Sequence, residues 1–276
     1  MADKNGPIGV FDSGVGGLTV VRKILESLPG EEIIYFGDNL RAPYGGREPQ
    51  VLAAFSREIM DFLLGQGVKA IVVACGTISA RIFNQVVAMT DLPIVGMVNP
   101  AVEAALDATI NGRIGVAATA GTISSCAHER AIKAGKTDAA VFGVACPLFV
   151  PLVEEGWLNN QVADLVAETY LSGLKDKGID TILLGCTHYP LLLDSIKKAV
   201  GNEVIVVDPA VRLAADFREK LAALGLLRNR DEPPKHRLYV SGDKEKFDKI
   251  ATLVLGSNFA AEVLDASDTR DCALRV

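Results

Sequence analysis

The sequence predicts an α/β fold: two similar open parallel-sheet α/β domains in a pseudo-twofold arrangement, with the reactive residues in the cleft between them. Three observations carry this. Short runs rich in Val and Ile alternate with longer helical patterns, the βαβ signature. The pieces also recur. Ile8-Gly9-Val10 returns 106 positions later as Ile114-Gly115-Val116, and Phe36-Gly37 returns at the same offset as Phe142-Gly143. The offset then becomes 111, linking Cys75 to Cys186 and Ile94-Val95 to Ile205-Val206. Finally, 276 residues, 49% of them hydrophobic, suffice for one large domain or two small ones with a substantial core.

In the first unit, apolar runs place strands at 8–11, 32–36, 70–74 and 94–98. Helical patterns follow at 18–27, 50–64 and 79–88. In the second unit, strands fall at 113–117, 140–144, 181–184 and 204–207, and helices at 124–134, 160–175 and 190–200. Pro190 suits a first helical turn. Asn99-Pro100-Ala101 and Asp208-Pro209-Ala210 resemble each other and leave each unit. The tail supplies a helix at 212–224, a strand at 236–241 and a helix at 244–255, with a polar, Pro-containing loop at 228–235. The tail is expected to return to the first unit near Pro209. The first domain is then 1–97 plus 211–276, and the second is 98–210.

The net charge is -6 and is not gathered into a block, which argues against a nucleic-acid backbone as main partner. No run reaches transmembrane length, and the first five residues lack a signal-peptide apolar region. A cytoplasmic location with no membrane partner is expected. The five cysteines, Cys75, Cys126, Cys146, Cys186 and Cys272, are odd in number and form no C-x-x-C pair. A disulfide framework is therefore not expected.

In open parallel sheets, reactive loops lie beyond the carboxyl ends of the strands. Cys75 and Cys186 both end such strands, in Cys75-Gly76-Thr77 and Cys186-Thr187-His188. Taken singly, each cysteine reads as a small buried hydrophobe. Taken together, the two thiols can face one another across a cleft. Asp12 and His188 can each handle a proton beside a thiol. Thr77 and Thr187 can cap a helix or bind an anion. A metal is not expected, because Cys186-x-His188 supplies two ligands and nothing nearby completes a set.

Asp12-Ser13-Gly14-Val15-Gly16-Gly17 follows the first strand, and Asp38 lies 22 residues after Gly16, which tempts a dinucleotide reading. Thr19 holds the place of the third glycine, and Asp12 would face the pyrophosphate. The alternatives are a tight glycine turn, or an acid at the strand tip beside N–H groups ready for a carboxylate. Thr119 and Thr122 either cap a helix or bind a carboxylate. Asp38 can order the loop 41–45. One acid of Glu154-Glu155 can cap the next helix.

Phe11-Asp12-Ser13-Gly14-Val15-Gly16-Gly17-Leu18-Thr19, Tyr35-Phe36-Gly37-Asp38, Pro43-Tyr44-Gly45 and Gly185-Cys186-Thr187-His188-Tyr189-Pro190-Leu191 closely resemble the bacterial glutamate racemases. Cys146-Pro147-Leu148-Phe149-Val150-Pro151-Leu152-Val153-Glu154 is similar too, and the likeness runs from about 8 to 255. The resemblance implies a cofactor-independent racemase of the aspartate/glutamate racemase superfamily, with glutamate as its small-molecule substrate and D-glutamate for peptidoglycan as its product. Its two thiols would flank the substrate Cα. By analogy Cys75 deprotonates D-glutamate and Cys186 L-glutamate. Asp12 supports Cys75, and His188 with Glu154 supports Cys186. Ser13, Pro43, Tyr44, Gly45, Thr77, Thr119, Thr122 and Thr187 fall at substrate-lining positions. A homodimer is implied as well.

The sequence departs from that pattern at Gly76, where the family has asparagine. Ile78 stands where a small residue is usual, and His128 replaces a frequent tyrosine. A lost hydrogen bond to a charged ligand costs about 1.5–3 kcal/mol unless something replaces it. Two other readings therefore stand beside glutamate racemisation: racemisation of another amino acid such as aspartate, or glutamate binding and regulation with little turnover.

Overall fold

The computed structural model describes residues 3–230 and 232–257, and the backbone of Ala261–Asp265. Cys272 and the rest of the expected 211–276 stretch beyond 265 lie outside the described residues. The chain begins with β1 (Ile8–Asp12), α1 (Leu18–Ser27), β2 (Ile33–Gly37), α2 (Pro49–Gly65), β3 (Ala70–Val73), α3 (Gly76–Arg81), α4 (Phe83–Val87) and β4 (Ile94–Gly96). It crosses through α5 (Val98–Ala108) into β5 (Arg113–Ala118), α6 (Ala120–Ser124), α7 (Ala127–Gly135), β6 (Ala140–Ala145), α8 (Phe149–Glu154), α9 (Gln161–Leu171), β7 (Thr181–Leu184), α10 (Leu193–Val200) and β8 (Ile205–Val207). It returns through α11 (Pro209–Ala223) to β9 (His236–Val240), α12 (Lys244–Leu255) and β10 (Ala261–Asp265).

Two wholly parallel sheets result, ordered β10-β9-β2-β1-β3-β4 and β6-β5-β7-β8. The run β2-β1-β3-β4 has the same order as β6-β5-β7-β8, so the repeated sequence folds into repeated topology. Ile8 sits between Ile33 and Ala70, as Ile114 sits between Val141 and Thr181. Helices cover both faces of a parallel sheet, which is why β1, β2, β3 and β7 are buried at every position. The two crossing helices α5 and α11 pack together, and Arg212 on α11 bridges Glu103 at 2.6 Å and Asp107 at 2.8 Å on α5.

Several elements differ from expectation. The strand expected to run to 98 stops at Gly96, and a helix that was not expected, α5, starts two residues later. The 79–88 helix starts earlier, at Gly76, and breaks at Ile82, whose φ of -138° leaves the helical region. The 124–134 helix divides at Cys126, a non-glycine residue at φ 53°. The 160–175 helix ends at Leu171, followed by a 3-10 turn over Ser172–Lys177. A second such turn, Tyr189–Leu192, precedes α10. α11 starts at Pro209, ahead of the expected 212, because Asp208 accepts the Ala210 N–H at 3.0 Å and proline fits a first turn. α6, α8 and β10 were not anticipated. Among the described residues no helix is long and apolar enough to cross a membrane.

Candidate active site

The carboxyl ends of β1, β2 and β3 meet those of β5 and β7 along a seam, and the site is built there. β1 delivers Asp12, completely buried. Its Oδ2 accepts the Gly17 N–H at 2.6 Å and the Thr187 hydroxyl, from the opposite sheet, at 3.1 Å. Its Oδ1 is buried with no partner. Burial raises the Asp12 carboxyl above its ordinary range, against the pull of His188 and of the N–H groups of Ser13 and Gly17.

Cys75 follows β3 and is only 3% exposed. Burial pushes its thiol well up, and the negative charges of Asp12 and Cys186 push it further, against the Ile78 N–H and the Ser13 side chain. Burial thus favours the neutral thiol at Cys75.

Cys186 follows β7 and faces different chemistry. Its Sγ lies 3.7 Å from His188 Nδ1, and His188 Nε2 lies 2.8 Å from Glu154 Oε1, at the end of α8. The same Glu154 oxygen accepts the Val15 N–H from the first unit at 3.2 Å. Burial alone would pull the His188 imidazolium down. The hydrogen bonds and charges of Cys186 and Glu154 outweigh it and hold His188 well above its ordinary value. For Glu154, burial works upward, but His188, Val15 and Lys246 prevail and its carboxyl sits low. A buried histidine is thus held protonated between a carboxylate and a sulfur.

Thr119 caps α6, with its Oγ1 3.4 Å from the Thr122 N–H. That Oγ1 also lies 3.0 Å from both Thr77 Oγ1 and Thr122 Oγ1. All three hydroxyls are buried at the seam, one from the first unit and two from the second. Gly45 packs on Thr119, and its carbonyl accepts the Gly121 N–H at 2.8 Å. Tyr44, in contrast, is buried with its hydroxyl donated to Asp38, and Pro43 is exposed. Asp38 also accepts from Arg41 and Ser241, both at 2.6 Å, so it orders the loop.

Three residues here carried no expectation of a role. Tyr35 donates to the Gly14 carbonyl at 2.6 Å and fixes the glycine turn. The Thr19 hydroxyl lies 2.8 Å from Gly16 O and 3.1 Å from Thr187 O, so the residue in the place of a third glycine ties the units together. Tyr189 donates to the Cys146 carbonyl at 2.9 Å. The signal for Tyr35 and Tyr189 was their place, one in a strand and one just past a strand end, where a buried phenol needs an acceptor. Cys146 is itself buried, its thiol pushed up to about 12 by burial and then by Cys186. His128 is buried behind the Gly185 loop, its pKa pulled down to about 4 by burial. Among the described residues no cluster of His, Cys, Asp and Glu is arranged to hold a metal ion.

Residues 8–216 match the family model described as Asp/Glu/hydantoin racemase. A glutamate racemase of Geobacter metallireducens is 46% identical over 249 residues, covering 90% of this chain and 92% of that one. A glutamate racemase of Thermoanaerobacter pseudethanolicus is 44% identical over 250 residues, covering 91% and 93%. Among solved structures, glutamate racemase from Francisella tularensis in complex with D-glutamate superposes with a TM-score of 0.86 at 37% identity, covering 95% of this chain and 98% of that one.

Proposed function

Since this chain belongs to the Asp/Glu/hydantoin racemase family, we propose that its paired thiols work on the two faces of one carbon, and that it is a glutamate racemase interconverting L- and D-glutamate. One observation supports this most directly. Cys75 and Cys186 end topologically equivalent strands, β3 and β7, and the backbone beside one thiol packs on the backbone beside the other.

The Cα–H of an amino acid is a very weak acid, so the developing carbanion needs donors and a dry site. The Thr77, Thr119 and Thr122 hydroxyls, together in one buried cluster, are suited to a substrate carboxylate. Asp12 Oδ1, buried without a partner, is suited to the ammonium group. From L-glutamate, Cys186 takes the α-proton and Cys75, standing as a thiol, returns one to the opposite face. The reverse direction exchanges the roles. The turnover leaves Cys186 as the thiol and Cys75 as the thiolate, and the site resets when Cys186 releases one proton to solvent and Cys75 takes one up, with His188 and Asp12 as the neighbouring charged groups. Glu154 holds His188 in place. The scheme uses no cofactor. The product D-glutamate would serve peptidoglycan synthesis in the cytoplasm, and the working form would be a homodimer.

Incubation of single enantiomers of glutamate and aspartate in D2O tests the reading. Deuterium at Cα with loss of optical rotation is expected for glutamate. Cys75→Ala and Cys186→Ala should each abolish racemisation, and full activity in either variant would sink the two-thiol scheme. Deuterium in aspartate alone would name a different substrate. Binding without exchange would make the protein a sensor rather than an enzyme.

A further inference from the structure

The second unit holds a cavity of about 210 Å³ between its sheet and the corner where α6 meets α7. β5 and β6 give it an apolar wall through Val116 and Val141, and α6 adds Ile123. Exposed Cys126 and half-buried Glu129 border it, and Glu129 is paired with Lys133 at 2.6 Å. His128, on the first turn of α7, lines it too and is only 4% exposed.

Among the described residues, neither ring nitrogen of His128 has a hydrogen-bond partner. Burial pulls its pKa down to about 4, and no neighbouring charge opposes that. At neutral pH the ring is therefore uncharged and offers one N–H donor and one acceptor. A polar group buried this far normally bonds to protein, water or a ligand. The wall also limits what can enter. Glu129 is its only charged side chain, and Lys133 already answers it, so an ionic ligand would lose water without gaining a counter-charge. Size points the same way. An apolar cavity of about 150 Å³ holds benzene, whereas sites for drug-sized ligands run to roughly 300–1,000 Å³. One ring fits here.

We propose that this cavity is a second ligand site, taking one small uncharged ring that carries a hydroxyl or N–H group, with His128 as its polar anchor. The site adjoins the thiol site without belonging to it. Thr122 also lines the cavity, and its Oγ1 lies 3.0 Å from Thr119 Oγ1 in the buried hydroxyl cluster. On the other side, a Cβ built on Gly185, next to Cys186, would lie 3.4 Å from His128 Cε1. The occupant thus sits one residue behind the hydroxyls proposed to hold a substrate carboxylate, whichever amino acid that substrate is.

Phenol is the probe, and benzene, which lacks the hydroxyl, is the control. Each is titrated into the substrate-free protein, with labelled histidine rings and labelled Val and Ile methyls followed by NMR. Phenol should saturate with a Kd on the order of 1 mM. It should shift the His128 Cε1–H resonance and give NOEs to the methyls of Val116, Ile123 and Val141. Benzene should bind roughly fivefold more weakly. His128→Leu keeps an apolar side chain and loses both nitrogens, so phenol should fall to the level of benzene. His128→Tyr, whose own ring enters the cavity, should bind neither. Saturating D-glutamate should leave the phenol NOEs in place. Failure of phenol to saturate by about 10 mM would leave water as the occupant and overturn the site. Equal affinity for phenol and benzene, or wild-type phenol affinity in His128→Leu, would overturn the anchor. NOEs that vanish on adding D-glutamate would put phenol in the substrate site instead. Should His128→Tyr not fold, His128→Leu carries the comparison.

Discussion

Replacing Glu154 by glutamine asks whether the groups behind Cys186 act as one relay. The substitution keeps the shape and removes a charge 2.8 Å from His188 Nε2. The side chains of His188 and Glu154 are 2% and 16% exposed, so salt screens the pair little. A hydrogen bond to a charged group contributes about 1.5–3 kcal/mol. Expressed as a barrier, that is on the order of 10- to 150-fold in kcat/KM. The enantiomers have equal free energy in water, so kcat/KM must fall by the same factor in both directions. The asymmetry appears in isotope effects. Cα-deuterated L-glutamate, deprotonated by Cys186, should show a larger primary effect than with the wild type. Cα-deuterated D-glutamate, deprotonated by Cys75, should show a smaller one, because the slow step has moved to the far face. Progress curves by circular dichroism with labelled and unlabelled enantiomers measure this. A loss below about threefold, or isotope effects that stay symmetric, would refute the relay.

Thr119→Val preserves shape and removes the hydroxyl shared between Thr77 and Thr122. Losing a bond to a substrate carboxylate should raise KM about tenfold or more, and an unchanged KM for both enantiomers would place the carboxylate elsewhere. His128→Tyr addresses pH. The folded-state pKa of His128 lies at about 4, below its ordinary 6.5, through burial. The unfolded chain therefore takes up its proton first on acidification, and His128 costs about 3 kcal/mol of stability between roughly pH 6.5 and 4. A neighbouring cavity of about 210 Å³ leaves space for the larger ring. The tyrosine variant should lose less stability than the wild type over that window in urea titrations. Parallel losses would contradict the assignment.

The strand ends were legible because a buried parallel strand is a continuous apolar run, so Asp12, Cys75 and Cys186 could be placed at the carboxyl ends of strands before any packing was known. The repeat announced two similar four-stranded units, since offsets of 106 and then 111 in sequence became matching strand orders. Helix starts and breaks were less legible. Cys126 adopts φ 53° without being glycine or asparagine, and nothing in its neighbours announces that. The six residues of α8 are too few to show a helical period, yet they set the position of Glu154. Thr19 looked like a defect in a glycine motif, because its role depends on the Thr187 carbonyl, 168 residues away. The surroundings of Gly76 were equally hidden. A missing side chain reads locally as a lost contact, and only the fold shows the Gly185 backbone beside it.

The two covalent crossings, through α5 and α11, have a mechanical consequence. A single tether would let one unit swing and twist about a point. Two tethers, braced side by side by Arg212, define a line. Relative movement of the sheets is then reduced to rotation about that line, like a book turning on its spine. Thr19–Thr187, Gly76–Gly185 and Val15–Glu154 all join the two units, so any turning about that line would load these contacts together. Through Glu154, the proton relay behind Cys186 is fastened to the first unit as well as to its own.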